Sequence, residues 1–171
     1  MFQVIKKLSL IVLASFILVG CASVGFVKND DLTGRTYVQG SNFSLYNGPQ
    51  ISAVIRFVYD TNADFVTAQV SRSSYGGWMD PESFTVKDGE TYKLSSVIKT
   101  IGSCETKSRC TTSETGSFEL SIKDFQKFSN ADTSVRLSGR STYVDGIIPS
   151  VRVQEFIAFV KESFPDANLF D

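Results

Sequence analysis

No histidine occurs among the 171 residues, so the serine–histidine and cysteine–histidine pairs that activate most nucleophiles are excluded. Chemistry must come from carboxylates, lysines, thiols or aromatic rings. Asp60-Thr61-Asn62-Ala63-Asp64 opens as a calcium loop does, with oxygens at alternate positions. Counting on, Phe65 stands where that loop needs glycine and Ser71 where it needs a bidentate glutamate. These oxygens therefore read as caps of a solvated turn, with a simpler cation site as the alternative. Ser96-Val97-Ile98-Lys99 has the spacing of an acyl-enzyme serine and its lysine base. The stretch alternates like a strand, which sends Ser96 and Lys99 to opposite faces, and the companion K-T-G element is absent. No glycine-rich phosphate loop is present. What stands out is Tyr75-Gly76-Gly77-Trp78-Met79, which sets three large apolar side chains, including the only tryptophan, in an expected loop. Aromatic loops contact partners or fold back onto the core. Tyr75, Trp78 and Met79 are the candidate partner-binding residues.

The three cysteines are Cys21, Cys104 and Cys110. Cys21 lies in a run without charge from Leu8 to Val27, preceded by Lys6 and Lys7. The apolar part, Leu8 to Gly20, is shorter than the ~20 residues of a bilayer-spanning helix and reads as a secretory leader over residues 1–20. Its end, Leu18-Val19-Gly20-Cys21, resembles the lipobox of bacterial lipoproteins. That resemblance implies cleavage before Cys21, diacylglycerol on its sulfur and acylation of the new amine. Ala22 in the next position suits the outer membrane, with the protein facing the periplasm. Two or three acyl chains make release negligible, since each buried methylene contributes ~0.8 kcal/mol. With Cys21 committed to lipid, Cys104 and Cys110 in "CETKSRC" remain as a pair in an oxidising compartment, where a disulfide closing a tight loop is expected. Loop closure of this length contributes roughly 2–2.5 kcal/mol in the chain-entropy model. No metal site is expected, because no histidine and only two cysteines are on offer, and no cofactor is implied.

Loss of the leader removes Lys6 and Lys7 and leaves a mildly acidic chain without a basic cluster, which argues against nucleic acid as a partner. Residues 21–34 read as the lipidated terminus and a tether, and 35–171 as a single β-rich domain with ample aromatic volume among its phenylalanines.

The elements that must position the aromatic loop follow from periodicity. Strands are expected over 35–39, 42–46 and 51–60, the last with Ile51, Ala53, Ile55, Phe57 and Tyr59 on one face. The turn 60–64 leads to a strand over 65–71, and 74–82 reads as a loop. Asp88-Gly89 marks a hairpin whose second arm extends to Ile101. The cysteine loop follows, then a strand over 116–122, so that Cys104 and Cys110 staple successive strands. Ser121 caps a short helix bearing Ile122, Phe125 and Phe128. A strand over 133–144, a loop at "DGIIPS" and a helix over 150–164 complete the chain. Ser150 is the expected cap of that last helix, Val153, Phe156, Ile157, Val160 and Phe164 its apolar stripe, and Pro165 its stop. The fold class is α+β: a mostly antiparallel, sandwich-like sheet with a C-terminal amphipathic helix packed on it.

Function follows at the level of class. The expectation is a membrane-anchored, non-enzymatic envelope lipoprotein that binds another envelope protein as a scaffold or accessory subunit. The alternative is a small-ligand or glycan-binding module using the Tyr75–Trp78 loop. A histidine-free hydrolase would need clustered carboxylates in a cleft.

Overall fold

The structure is a computed structural model that describes residues 24–165 except 76, 88, 107 and 108. Cys21 and residues 1–20, the expected leader, lie outside the described residues. In chain order the elements are β1 (Gly25–Asp30), β2 (Arg35–Gly40), β3 (Phe43–Asn47), β4 (Ile51–Asp60), β5 (Phe65–Tyr75), β6 (Pro81–Val86), β7 (Thr91–Lys93), β8 (Ser95–Thr106), β9 (Arg109–Ser121), α1 (Ile122–Asn130), β10 (Thr133–Gly139), β11 (Tyr143–Ile148) and α2 (Ser150–Ser163).

All strand pairings are antiparallel and form two sheets. The larger, strongly curled sheet runs β1-β2-β4-β5-β9-β8, with β3 pairing the other half of the β4 edge. The smaller runs β11-β10-β6-β7. Alternation along β4 buries Ala53, Ile55, Phe57 and Tyr59 on one face, as the period-two pattern requires. Val66, Ala68 and Val70 of β5 and Phe118 and Leu120 of β9 continue that face. The small sheet adds Phe84, Val135, Leu137, Val144 and Ile148, and the helices add Phe125, Phe128, Val153, Phe156 and Val160. Phe57 meets Phe125 edge-on at 4.8 Å between ring centroids, and Phe84 stacks on Phe118 at 4.8 Å. The α+β class with a C-terminal helix on a β-rich body is thus the observed architecture.

Five local expectations are corrected. Within the expected tether, Gly25–Asp30 is a strand, because β1 pairs with β2 from Gly25↔Gly40 to Asp30↔Arg35. The arm after Asp88-Gly89 is two strands. β7 belongs to the small sheet and β8 to the large one, and the buried Leu94, whose N–H donates to the Glu82 carbonyl, marks the crossing. Asp88 itself lies outside the described residues. The single strand expected over 133–144 is a hairpin in which β10 ends at Gly139 and β11 begins at Tyr143, and "DGIIPS" is mostly strand, since β11 extends through Ile148. Ser150 is the first residue of α2 and not its cap; its N–H and hydroxyl both donate to Asp132 Oδ1, at 2.8 and 3.0 Å. The acceptor that caps this helix comes from a residue eighteen positions earlier. Ser121 does cap α1, its hydroxyl accepting from the Asp124 N–H at 3.1 Å and donating to the Asp124 carboxylate at 2.6 Å.

Candidate interaction site: the Trp78 loop and the β8 edge

The inward face shared by β5 and β9 changes character along its length. Apolar pairs give way to Val70↔Gly116, Arg72↔Glu114 and Ser74↔Thr112. Arg72 and Glu114 occupy inward positions of an unbroken ladder, so their side chains must enter the interior. Arg72 Nη1 lies 3.0 Å from Glu114 Oε2, with side-chain exposures of 6% and 0%. A buried carboxylate is tolerated only when its lone pairs are occupied, and Glu114 also accepts the backbone N–H groups of Met79 at 2.8 Å and Asp80 at 2.9 Å. The Gly77 carbonyl accepts from Thr112 Oγ1 at 3.1 Å and Ser74 Oγ at 3.3 Å. The segment from Gly77 to Asp80 is thereby fastened to the sheet by its backbone. Gly77 and Asp80 carry positive φ, 84° and 52°, conformations that glycine and, less often, aspartate supply.

This clamp sends the three expected contact residues in different directions. Met79 is 0% exposed and enters the core, so it is corrected from contact residue to core residue. Its carbonyl accepts from the Arg140 N–H, and Gly139 packs so close that a Cβ there would lie 2.3 Å from the Met79 oxygen. Tyr75, one position past inward-facing Ser74, lies on the outward face opposite Thr111 and is exposed. Trp78 is 38% exposed, and Lys99 Nζ of β8 sits 5.3 Å from its ring centroid. The same ammonium bonds the Asp80 carboxylate, and that hydrogen bond, followed by the charges of Lys99 and Arg140, lowers the Asp80 pKa below its ordinary 3.8. Trp78, Asp80 and Lys99 therefore form one cluster, and Tyr75 does not belong to it.

Beside this cluster runs an uncovered strand. β8 pairs only with β9, and its other edge carries no strand among the described residues. The Ile98–Ile101 stretch keeps regular register with Thr115–Thr112, between irregularities on either side. Lys99 and Ile101 share the face of Glu114 and Thr112, whereas Ile98 and Thr100 face the other way. Ile98 and Ile101 are each 65% exposed. Cys104 and Cys110 are direct ladder partners with their sulfurs at disulfide distance, so the expected staple between successive strands is present.

The remaining candidates resolve as follows. Asp60 accepts the Asn62 N–H and faces Arg35 at 3.5 Å, the behaviour of a turn cap. Among the described residues no group of three metal-ligating side chains converges. Clefts touching Tyr75 are shallow, the smaller about 250 Å³ and lined by polar residues such as Asn47, Gln50 and Ser73. A larger cavity among the described residues, about 800 Å³, lies elsewhere, on the outer face of the small sheet beside Leu45, Ile147 and Pro149. Sequence reasoning missed Arg72 and Glu114. The signal was present: both fall on the inward phase of strands whose neighbours two residues away are apolar or small. Among the described residues no helix is long and apolar enough to cross a membrane. No protein-family model, curated protein or solved structure matches the chain.

Proposed function

We propose that this chain is a lipid-anchored envelope protein, held at the outer membrane through Cys21 and facing the periplasm, that binds another envelope protein without catalysis. The observation that supports this reading is the Glu114 clamp. A buried ion pair and two backbone hydrogen bonds hold a short loop so that Trp78 stays at the surface beside an open strand. A tryptophan fixed in place loses little conformational freedom on binding, and such rigid aromatic anchors dominate protein contacts. Exposed Ile101 on the same face extends the surface away from the ring.

The experiment is photo-cross-linking in intact cells with p-benzoylphenylalanine at Trp78 and, as control, at Tyr75. A single protein captured from position 78 and not from 75 supports the reading. Failure to capture any protein from position 78, with the variant folded and abundant, overturns it. A second reading, a small-ligand module, draws support from the 800 Å³ cavity with its apolar Leu45, Val135 and Ile147. It relocates the ligand away from the Tyr75–Trp78 loop.

A further inference from the structure

We infer that the cavity on the outer face of the small sheet binds an aliphatic carboxylate, its chain against Leu45 and Ile147 and its acid group at Lys87. Alternation brings these groups together. Val135, Leu137, Val144 and Ile148 face the core, so Ser134, Arg136, Asp145 and Ile147 face out. Register then arranges them in rows across the strands. Ile147 pairs with Ser134, and the Lys87 N–H donates to the Ser134 carbonyl at 2.9 Å, so Ile147, Ser134 and Lys87 form one row. Neighbouring strands stand about 4.8 Å apart, which puts about 10 Å between the backbones that carry Ile147 and Lys87. Ser134 in the middle is small, so the row is a trough with an apolar end and a basic end. Gly146 builds the apolar end. Its missing side chain lets β3 press against β11, where a Cβ would lie 2.6 Å from the Leu45 carbonyl oxygen. Leu45 and Pro149 thereby join the exposed Ile147 around a volume of about 800 Å³.

Charge selects the ligand. The charged side chains that line the cavity are Lys87, Arg136 and Asp145. Arg136 and Asp145 neutralise each other through a two-pronged pair, Nε to Oδ1 at 2.6 Å and Nη2 to Oδ2 at 2.9 Å. The Tyr143 ring lies 4.0 Å from the Arg136 guanidinium and holds it in that pose. Lys87 has no acidic partner among the described residues. One positive charge is therefore uncompensated, at the end of the trough away from Ile147 and Leu45. A cationic amphiphile would meet that ammonium with like charge, and a neutral one would leave it unused. A carboxylate on an aliphatic chain satisfies both ends. The ammonium gains a charge-assisted hydrogen bond, and each methylene laid against the apolar wall leaves water. This preference for an acid rests on the small-ligand reading of the same cavity and is independent of Trp78.

The test photolabels the full chain in isolated membranes with decanoate bearing an alkyl diazirine and, in parallel, with the matching decanol. The expected result is a decanoate adduct in the peptides of β3 or β11, at least about tenfold stronger than the decanol adduct and weakened at least about tenfold by Lys87→Met. Ser134→Leu fills the middle of the trough and should remove the adducts of both probes. Lys87 and Ser134 are exposed, so both variants keep their fold, and protease resistance checks that they do. Decanol labelling as strong as that by decanoate, or decanoate labelling unchanged by Lys87→Met, overturns the preference for an acid and leaves the small-ligand reading standing. No adduct at β3 or β11 from either probe, or adducts indifferent to Ser134→Leu, overturns both.

Discussion

Glu114 is the residue on which the surface site turns. It carries the inward charge of β9, accepts Arg72, and holds the N–H groups of Met79 and Asp80. Removing one partner of a buried pair leaves the other charge unmatched, at a cost of about 3–5 kcal/mol. Glu114→Gln and Arg72→Met should therefore each lower stability by that order in denaturant unfolding, and the double variant should lose less than the two combined. Trp78 is the only tryptophan, so its emission reports the loop directly; Glu114→Gln should shift it to the red as the ring becomes more hydrated. Acid acts on the same cluster. The Asp80 pKa is lowered in the fold, so its contact with Lys99 is intact above the ordinary 3.8 and is lost as pH falls through the lower folded value. Titration of Trp78 fluorescence should show a step below pH 3.8 that Asp80→Asn removes. At this scale the sequence was partly legible. The Trp78 stretch drew attention by composition, but which of its side chains faced water depended on Glu114, far away along the chain, and no local pattern encodes that.

Among the elements, legibility followed the range of the forces involved. β4, β5 and α1 were readable because alternation or capping sits within each segment, as with Ser121 and Asp124. The cap of α2 was not, because its acceptor belongs to Asp132 across a turn of strand. Asp132→Ala should lower stability by removing the acceptor of the Ser150 N–H, and Ser121→Ala should cost about 1 kcal/mol for α1, as ordinary cap loss does, both measurable by chemical denaturation. The split of one expected strand into β7 and β8 was also hidden, since a crossing between sheets leaves the hydrophobic pattern almost unchanged. The cysteine pair was legible from its count and from the compartment that the expected leader implies. Replacing Cys104 and Cys110 together by serine should lower stability by roughly 2 kcal/mol. If alkylation finds both thiols free in protein taken from an oxidised envelope, the staple is absent in the cell.

For the whole molecule, the α+β class was readable from the balance of strand and helix periodicities, whereas the strand order is set by pairings between segments far apart in the chain. The proposed localisation rests on the expected leader. Cys21→Ser should leave an unprocessed precursor that fractionates away from the outer membrane, and normal processing would remove the anchor from the proposal. The early start of β1 then governs geometry. For a chain anchored at Cys21, four residues reach Gly25, a span of at most about 14 Å, whereas the fourteen residues once allotted to a tether would span roughly 45 Å. Such a protein cannot sample the depth of the periplasm. It would stay in a thin layer against the bilayer, its tumbling limited to rotation about a short stalk. Any partner would have to be brought to it by the membrane's own lateral traffic or stand with a surface at that same height.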